Sequence, residues 1–215
     1  MVQAATGHAQ GPRMTVALAG NPNAGKTTLF NALTGARQHV GNYPGITVDK
    51  KEGFVATSHG ELHVLDLPGT YSLTAYSQEE LVARHVLIED DPRAAVNVVN
   101  AAVLERNLYL TVQLLEIGVP VVLSLNMMDE ARRHGMEIDA DRLAELLGCP
   151  VVPTVARTGA GVAELAEETA RVAVERGSRR QPLEISYGPD LDPVLSEMTT
   201  LIEERDFAGG NYSPR

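Results

Sequence analysis

The chain has 215 residues, of which 44% are hydrophobic and 21% charged, a composition typical of a folded globular protein. Its formal net charge is −10, and the short basic pairs Arg132–Arg133 and Arg179–Arg180 do not offset it, which disfavours binding to nucleic acid or an anionic lipid surface. Because no apolar run could cross a bilayer and no signal peptide is evident, we expect a soluble, cytoplasmic fragment.

The chain begins with small and polar residues at 1–13, which predict a flexible leader. An apolar strand is predicted at Val16–Ala19, followed by a loop at Gly20–Gly25 and a helix at Lys26–Leu33. Residues 38–50 contain glycines and a proline and are predicted to form a loop.

Two alternating runs, Gly53–Thr57 and Leu62–Asp66, predict an antiparallel hairpin. The later predicted elements are, in order, a helix at Ser77–Ile88, a strand at Ala95–Val99, a helix at Leu104–Ile117, a strand at Val119–Asn126, a helix capped by Asp139 or Asp141 and ending at Leu147, a strand at Val151–Thr154, and a helix at Val162–Arg176. This alternation predicts an α/β fold with a mostly parallel sheet flanked by helices, whose ligands bind at the carboxyl ends of the strands.

The remaining features concern one thiol and the C-terminal tail. Cys149 is the one cysteine, which excludes an internal disulfide, and its apolar surroundings predict a buried structural thiol. Polar residues at 178–189 suit a linker, and Pro193–Glu204 is predicted to form one amphipathic helix. Because one helix cannot form its own core, we expect this tail to pack on the main domain or to belong to a larger helical unit.

The segment Gly20–Thr27, with the sequence GNPNAGKT, fits the phosphate-loop pattern G-x-x-x-x-G-K-[ST] between a strand and a helix. Such a loop turns consecutive N–H groups toward phosphate oxygens, and the helix start adds its positive dipole end. Lys26 is predicted to contact the β- and γ-phosphates, and Thr27 to offer a hydroxyl to Mg²⁺. The chain has 3 lysines against 15 arginines, and a compact ammonium fits inside such a loop where a guanidinium would not. A chance glycine turn is the alternative.

Two further segments predict Mg²⁺ and γ-phosphate contacts. Asp66-Leu67-Pro68-Gly69 follows the second hairpin strand, so Asp66 could hold a Mg²⁺-bound water and the Gly69 N–H could meet the γ-phosphate. An ordinary turn is the alternative. Thr47 lies between the phosphate loop and Asp66, and its hydroxyl is predicted to complete the Mg²⁺ shell when a γ-phosphate is present.

Two segments at later strand ends predict recognition of guanine. In Asn126-Met127-Met128-Asp129, the Asp129 carboxylate could accept hydrogen bonds from N1–H and the exocyclic amine of guanine, a donor pair that adenine lacks. Asn126 is predicted to brace neighbouring loops, and a helix-capping role for Asp129 is the alternative. In Val155-Ala156-Arg157, a backbone N–H could meet guanine O6.

The predicted nucleotide contacts are Gly20, Asn21, Pro22, Asn23, Ala24, Gly25, Lys26, Thr27, Thr28, Gly45, Ile46, Thr47, Asp66, Leu67, Pro68, Gly69, Asn126, Met127, Asp129, Val155, Ala156 and Arg157.

Five stretches of the chain resemble the FeoB family of bacterial ferrous-iron transport proteins, within the translation-factor-like P-loop GTPases. They are Gly20–Gly35 (GNPNAGKTTLFNALTG), Val40–Gly53 (VGNYPGITVDKKEG), Asp66–Leu73 (DLPGTYSL), Leu104–Thr111 (LERNLYLT) and Leu125–Ala131 (LNMMDEA). The resemblance covers about residues 14–175. It implies a Ras-like GTP-binding domain at 14–177, followed at 178–215 by a linker and part of a helical domain. It also implies GTP-dependent control of Fe²⁺ uptake at the cytoplasmic side of the inner membrane, through a permease portion absent from this chain.

The chain departs from the wider GTPase patterns at several positions. Val155 and Arg157 stand where the pattern S-A-K has Ser and Lys, while Ala156 keeps the central position. Asn100 stands where the family commonly has Asp, and we have no functional account of it. Thr70 stands where Ras-like enzymes carry a water-orienting Gln, so we expect slow catalysis.

Catalysis is then predicted to depend on Lys26, Thr47, Gly69 and Asn23. Some related GTPases with an Asn at the position of Asn23 place a K⁺ ion between the phosphates, where it does the work of an arginine finger. We predict the same here, with carbonyls of residues 38–46 completing the site. The alternative is that Asn23 only stabilises the loop.

Two other function classes remain open. A nucleotide-sensing interaction module, with incidental hydrolysis, would use residues 38–50 and 70–80 as moving parts against a membrane domain or a small helper protein, and self-association is compatible with it. A GTPase acting on ribosomes or tRNA would share the same motifs. The net charge of −10 and the lack of an RNA-binding appendage count against that third class.

Overall fold

The computed structural model describes residues 12–43, 48–74, 76–175 and 185–204. Within these residues, the strands are β1 (Arg13–Gly20), β2 (Gln38–Asn42), β3 (Asp49–Thr57), β4 (Gly60–Asp66), β5 (Ala94–Asn100), β6 (Val121–Asn126) and β7 (Val151–Pro153). The helices are α1 (Lys26–Thr34), α2 (Gln78–Ile88), α3 (Leu104–Glu116), α4 (Met128–Arg133), α5 (Ala140–Leu147), α6 (Val162–Glu175) and α7 (Asp192–Glu204), and a 3₁₀ turn at Ala101–Val103 precedes α3. The leader and most of the predicted linker lie outside the described residues.

The strands form one sheet in the order β2-β3-β4-β1-β5-β6-β7. The neighbours from β4 to β7 pair in parallel, whereas β2 with β3 and β3 with β4 pair antiparallel. The predicted α/β fold, its mostly parallel sheet and its hairpin are therefore confirmed. The carboxyl ends of β1, β4, β5, β6 and β7 meet at one edge of the sheet, as expected for parallel strands.

Apolar side chains fill both faces of the sheet. Leu123 and Leu125 of β6 pack with α2 and α3 on one face, and Val122 belongs to the cluster formed with α1 and α6 on the other. A strand covered on both faces reads as a continuous apolar run, which is why Val119–Asn126 was predicted as a buried strand. Cys149 is buried as predicted, and burial raises its thiol pKa to about 12.

One local prediction was wrong, and one short helix was not predicted. Residues 38–50 were predicted as a loop, but Gln38–Asn42 forms strand β2, which pairs antiparallel with β3. Glycine and polar residues weaken a strand prediction, and here the cross-strand hydrogen bonds outweigh them. The six-residue helix α4 was not predicted, because so short a segment has no readable periodicity.

The C-terminal helix α7 keeps much of its apolar face exposed. Val194, Met198 and Leu201 are about half exposed. Ahead of the helix, the Tyr187 hydroxyl donates a hydrogen bond to the carboxylate of Glu116 at the end of α3. No helix among the described residues has the length and hydropathy needed to cross a membrane.

Candidate nucleotide-binding site

The turn between β1 and α1 is built around two residues with left-handed backbone. Asn23 has φ 67° and Gly25, which precedes α1, has φ 85°. A Cβ on Gly25 would lie 2.4 Å from Asn126 Nδ2, so both backbone angle and space require glycine there. The turn therefore presents the N-terminus of α1 at the carboxyl edge of the sheet, as a phosphate loop requires.

A cavity of about 360 Å³ opens beside the start of α1, and we call it the Lys26 cavity. Its lining comprises Lys26, Thr27, Val48, Asp49, Lys51, Asp66, Leu67, Pro68 and Glu79. The Lys26 ammonium forms an ion pair with Asp66 Oδ1, and the Asp66 side chain is 6% exposed. This pair satisfies a carboxylate that would otherwise be buried and uncompensated. Thr27 and Asp66 offer a hydroxyl and a carboxylate to the same space, and hard oxygen ligands of this kind suit Mg²⁺.

The segment after Asp66 is held against the turn. The Thr70 N–H donates to Gly20 O at 3.3 Å, and a Cβ on Gly69 would lie 3.6 Å from Pro22. Thr70 is buried, and its hydroxyl donates to Ser72 O at 2.6 Å. The Thr70 side chain is thus engaged within its own segment, and it does not line the Lys26 cavity.

Two residues that hold this segment were missed by the sequence analysis. Gln113 Oε1 on α3 accepts a hydrogen bond from the Leu73 N–H at 2.9 Å. Glu80 forms a capping box with Ser77 at the start of α2, and it also accepts hydrogen bonds from Ser72 Oγ at 2.6 Å and the Tyr76 N–H at 2.9 Å. The pattern S-x-x-E at Ser77–Glu80 could have predicted the cap.

These hydrogen bonds also change the ionisation of Glu80. The bond from the Ser72 hydroxyl lowers the pKa of Glu80 most, followed by the bond from the Tyr76 N–H. The carboxylate form is therefore the one that this segment stabilises.

A second cavity of about 370 Å³, which we call the Asp129 cavity, lies on the other side of α1. Its lining comprises Gly25, Thr28, Asn126, Met127, Asp129, Glu130, Arg133, Val155, Ala156 and Arg157. The predicted bracing role of Asn126 is confirmed by its hydrogen bonds. Its Nδ2 donates to Ala24 O at 2.9 Å, and its Oδ1 accepts from the Ala156 N–H at 3.0 Å.

Asp129 faces two arginines at the rim of the Asp129 cavity. Its Oδ2 lies 3.2 Å from Arg157 Nη2 and 3.5 Å from Arg133 Nη2. Partial burial raises the pKa of Asp129, but the hydrogen bond from Arg157 and the charge of Arg133 outweigh it, so the pKa is lowered. The carboxylate is thus ionised and able to accept hydrogen bonds from a ligand with two adjacent donors.

The predicted contacts fall into three groups. The structure brings the Lys26 side chain together with Asp66, and Asn126 together with Ala24 and Ala156. Asn23 and Gly69 are both exposed, and neither residue lines the Lys26 cavity or the Asp129 cavity. The predicted contacts Gly45, Ile46 and Thr47 lie outside the described residues.

Comparison with known proteins places this arrangement in a family. The sequence model of the family described as ferrous iron transport protein B matches residues 14–169. The chain belongs to this family. Among its FeoB relatives, the Fe(2+) transporter FeoB of Salmonella typhimurium is 48% identical over 195 residues, which are 89% of this chain and 24% of that protein. A fusion of Fe(2+) transport protein A and Fe(2+) transporter FeoB from Porphyromonas gingivalis is 47% identical over 191 residues, 88% of this chain and 23% of that protein.

Solved FeoB structures share the fold. The cytosolic domain of L. pneumophila FeoB matches with a TM-score of 0.80 at 42% identity, over 89% of this chain and 74% of that one. The cytosolic domain of the T. maritima FeoB iron transporter, in a GDP form, matches with a TM-score of 0.88 at 37% identity, over 94% of this chain and 78% of that one. The chain therefore has the P-loop GTPase fold of the FeoB G domain, and it spans about a quarter of the length of the curated FeoB relatives.

Proposed function

We propose that this chain binds GTP and GDP with Mg²⁺ and hydrolyses GTP slowly. The observation that carries the proposal is the bracing of Asn126, whose one amide links the phosphate loop at Ala24 to the loop at Ala156. A ligand that reaches both cavities must carry an anionic group at one end, which Lys26 can bind. At the other end it must carry two adjacent hydrogen-bond donors for the Asp129 carboxylate. A guanine nucleotide has both. The T. maritima relative in its GDP form supports this choice of ligand.

In the proposed complex, Lys26 leaves Asp66 and contacts the β- and γ-phosphates. Asp66 and Thr27 would then hold Mg²⁺, with Thr47 as a further ligand when a γ-phosphate is present. The bound Mg²⁺ would neutralise charge on the phosphate oxygens. Gly69 offers its N–H to the γ-phosphate, while Asp129 selects the base and the Ala156 N–H lies beside guanine O6.

The slow rate follows from the absence of a water-positioning side chain at Thr70, whose hydroxyl is engaged by Ser72 O. We propose that K⁺, ligated by Asn23, supplies charge stabilisation instead. The exposed position and left-handed backbone of Asn23 leave its amide available at the tip of the loop.

At the level of the longer protein, we propose that residues 14–177 form the GTP-binding domain and that 178–215 form a linker and part of a helical domain. The domain would regulate Fe²⁺ passage through a membrane permease portion, from the cytoplasmic side of the bacterial inner membrane. The names of the relatives, Fe(2+) transporter FeoB and its fusion with Fe(2+) transport protein A, support this role and a small helper protein as a partner.

Calorimetric titration with GTP, GDP and ATP in the presence of Mg²⁺ tests the proposal. We expect both guanine nucleotides to bind at least about 100-fold more tightly than ATP, because adenine lacks the donor pair for the Asp129 carboxylate. ATP binding as tight as GTP binding would contradict the assignment of Asp129.

The K⁺ proposal is tested separately, by measuring GTP hydrolysis in KCl and in NaCl at equal ionic strength. We expect faster hydrolysis in KCl for the natural chain and equal rates for Asn23→Ala. Equal rates for the natural chain would remove the ion from the mechanism, while leaving nucleotide binding untouched.

The hydrogen bond from the Leu73 N–H to Gln113 favours a second candidate function, a nucleotide-sensing interaction module with incidental hydrolysis. This bond holds the segment that follows Gly69 against α3. Loss of the contact between Gly69 and the γ-phosphate would therefore alter the surface of the domain beside α3. Nucleotide-dependent association with a membrane fraction would support this module, and association with ribosomes would instead support the third class of GTPase.

A further inference from the structure

Two adjacent lysines of β3 lie on opposite faces of the sheet. Lys50 Nζ lies 3.3 Å from Glu52 Oε2, two residues along on the same face. Because successive side chains of a strand alternate, Lys51 lies on the face of Gly53, where a Cβ would meet Thr34 of α1 at 2.5 Å. Lys51 is therefore on the α1 side of the sheet, and it lines the Lys26 cavity.

The strand register brings Lys51 beside the predicted Mg²⁺ and phosphate ligands. Lys51 is the cross-strand neighbour of Asp66 in the antiparallel pair of β3 and β4, and Asp66 in turn pairs with Lys26. Cβ atoms of directly opposed residues are about 5 Å apart. The side chains of Lys26 and Lys51 therefore both lie near the Asp66 carboxylate. Of the chain's 3 lysines, two thus face one cavity.

The Lys51 ammonium is available to bind a ligand. Among residues 12–43, 48–74, 76–175 and 185–204, its ammonium has no hydrogen bond or ion pair, whereas Lys50 and Lys26 each have one. A partly buried cation without a partner lowers its free energy by gaining an anionic ligand. The cavity has room for one.

The lining of the cavity indicates which part of a nucleotide would meet Lys51. Besides Lys51, the lining includes Val48, Pro68 and Glu79. In the proposed complex, these residues belong to the segments that flank the β- and γ-phosphates. The base-recognition residues line the other cavity. Lys51 thus faces the phosphate end of the proposed nucleotide site and not the base end.

We propose that Lys51 is a second phosphate-facing lysine, which contacts the γ-phosphate and makes the site prefer GTP over GDP. The inference rests on the proposed function, since it assigns a contact within the same nucleotide site. Lys51 is a specificity residue in this assignment, whereas Lys26 binds both nucleotides through the β-phosphate. The ammonium also offsets the carboxylates of Asp49 and Glu79, which would otherwise repel the terminal phosphate.

The experiment compares Lys51→Met with its matched control Lys50→Met. Dissociation constants for GDP and for a non-hydrolysable GTP analogue are measured by calorimetry with Mg²⁺. For Lys51→Met we expect about a tenfold loss of affinity for the analogue, the size of one charge-assisted hydrogen bond, and less than about a twofold change for GDP. Lys50→Met should bind both ligands as the natural chain does.

Two further variants distinguish the loss of the ammonium group from a loss of folding. Lys51→Gln must show the same selective loss, and its circular dichroism and melting temperature report whether it is folded. Lys51→Arg keeps the positive charge and should recover most of the lost affinity for the analogue.

The possible results separate the two proposals. Equal losses for the analogue and GDP, or no loss in either folded variant, would overturn the assignment of Lys51. If the natural chain itself binds no guanine nucleotide, the proposed function fails instead.

Discussion

At the scale of single residues, Asn126 connects two loops at the edge of the sheet, because both ends of its amide are used. The donor end bonds to Ala24 O and the acceptor end takes the Ala156 N–H, while the residue itself is buried. A buried amide satisfied at both ends is worth more than its separate bonds suggest, because each bond fixes the orientation of the other. The loops that carry Ala24 and Ala156 therefore share one rigid support.

Asp129→Asn tests base selection. The substitution replaces a charge-assisted acceptor pair with an amide, so affinity for GDP should fall by about 100-fold or more. Xanthosine diphosphate carries a carbonyl where guanine has its amine, and it should bind the variant better than GDP does. Competition titrations with both nucleotides measure the change, and retention of GDP affinity would show that Asp129 serves only its ion pairs with Arg133 and Arg157.

Gly25→Ala tests the geometry of the phosphate loop. We expect a loss of about 2 kcal/mol in the free energy of unfolding, from the left-handed backbone and from the approach of the new Cβ to Asn126 Nδ2. Gly148→Ala is the matched control, because Gly148 has φ 65° with nothing within 4 Å of the added atom. Chemical denaturation should show a smaller loss for the control, and equal losses would mean that Asn126 moves aside without cost.

At the scale of elements, the short segments were the hardest to predict. Amphipathic helices such as α3 and apolar strands such as β6 carry a repeating pattern, so sequence alone located them within a few residues. The strand β2 and the helix α4 carry none, because β2 is a short polar segment with a glycine and α4 has only six residues. The hydrogen bond from Leu73 to Gln113 is equally invisible in sequence, because 40 residues separate the pair.

The start of α2 provides a stability prediction. Glu80→Gln should lower the free energy of unfolding at neutral pH by about 1 kcal/mol, because the amide can keep the capping box but weakens the charge-assisted hydrogen bonds from Ser72 and the Tyr76 N–H. Since the folded pKa of Glu80 is depressed, its contribution is present above its unfolded pKa of about 4.3 and is lost as pH falls through the folded value.

Denaturation curves recorded at neutral and acidic pH measure the effect. The gap between Glu80→Gln and the natural chain should close as the medium is acidified. Glu79→Gln is the control, because Glu79 shares the first turn of α2 without belonging to the capping box. An equal loss in both variants would indicate a general effect of charge at the helix N-terminus.

At the scale of the whole molecule, the fold was predictable because the order of strands and helices and the sequence motifs agree. The order implies a parallel sheet, and the motifs fall at the carboxyl ends of its strands, where such sheets bind ligands. The cavity-lining roles of Lys51 and Arg133 were not predictable. They depend on register and on side-chain direction, which composition does not encode.

Ligand binding should stabilise the whole domain. At a GDP concentration of about 100 times the dissociation constant, with Mg²⁺, the stabilisation is about 2.7 kcal/mol, which for a domain of this size raises the melting temperature by roughly 5–10 °C. Thermal unfolding monitored by circular dichroism measures the shift. ATP at the same concentration should raise the melting temperature by no more than about 2 °C, and an equal shift with ATP would contradict guanine selection.

The ion pair between Lys26 and Asp66 has a consequence for the interval between one nucleotide and the next. Between ligands, the two groups that would bind phosphate and metal satisfy each other, so the site keeps its shape and exposes no uncompensated buried charge. Under the proposed function, loss of the nucleotide would therefore leave neither buried group without a partner.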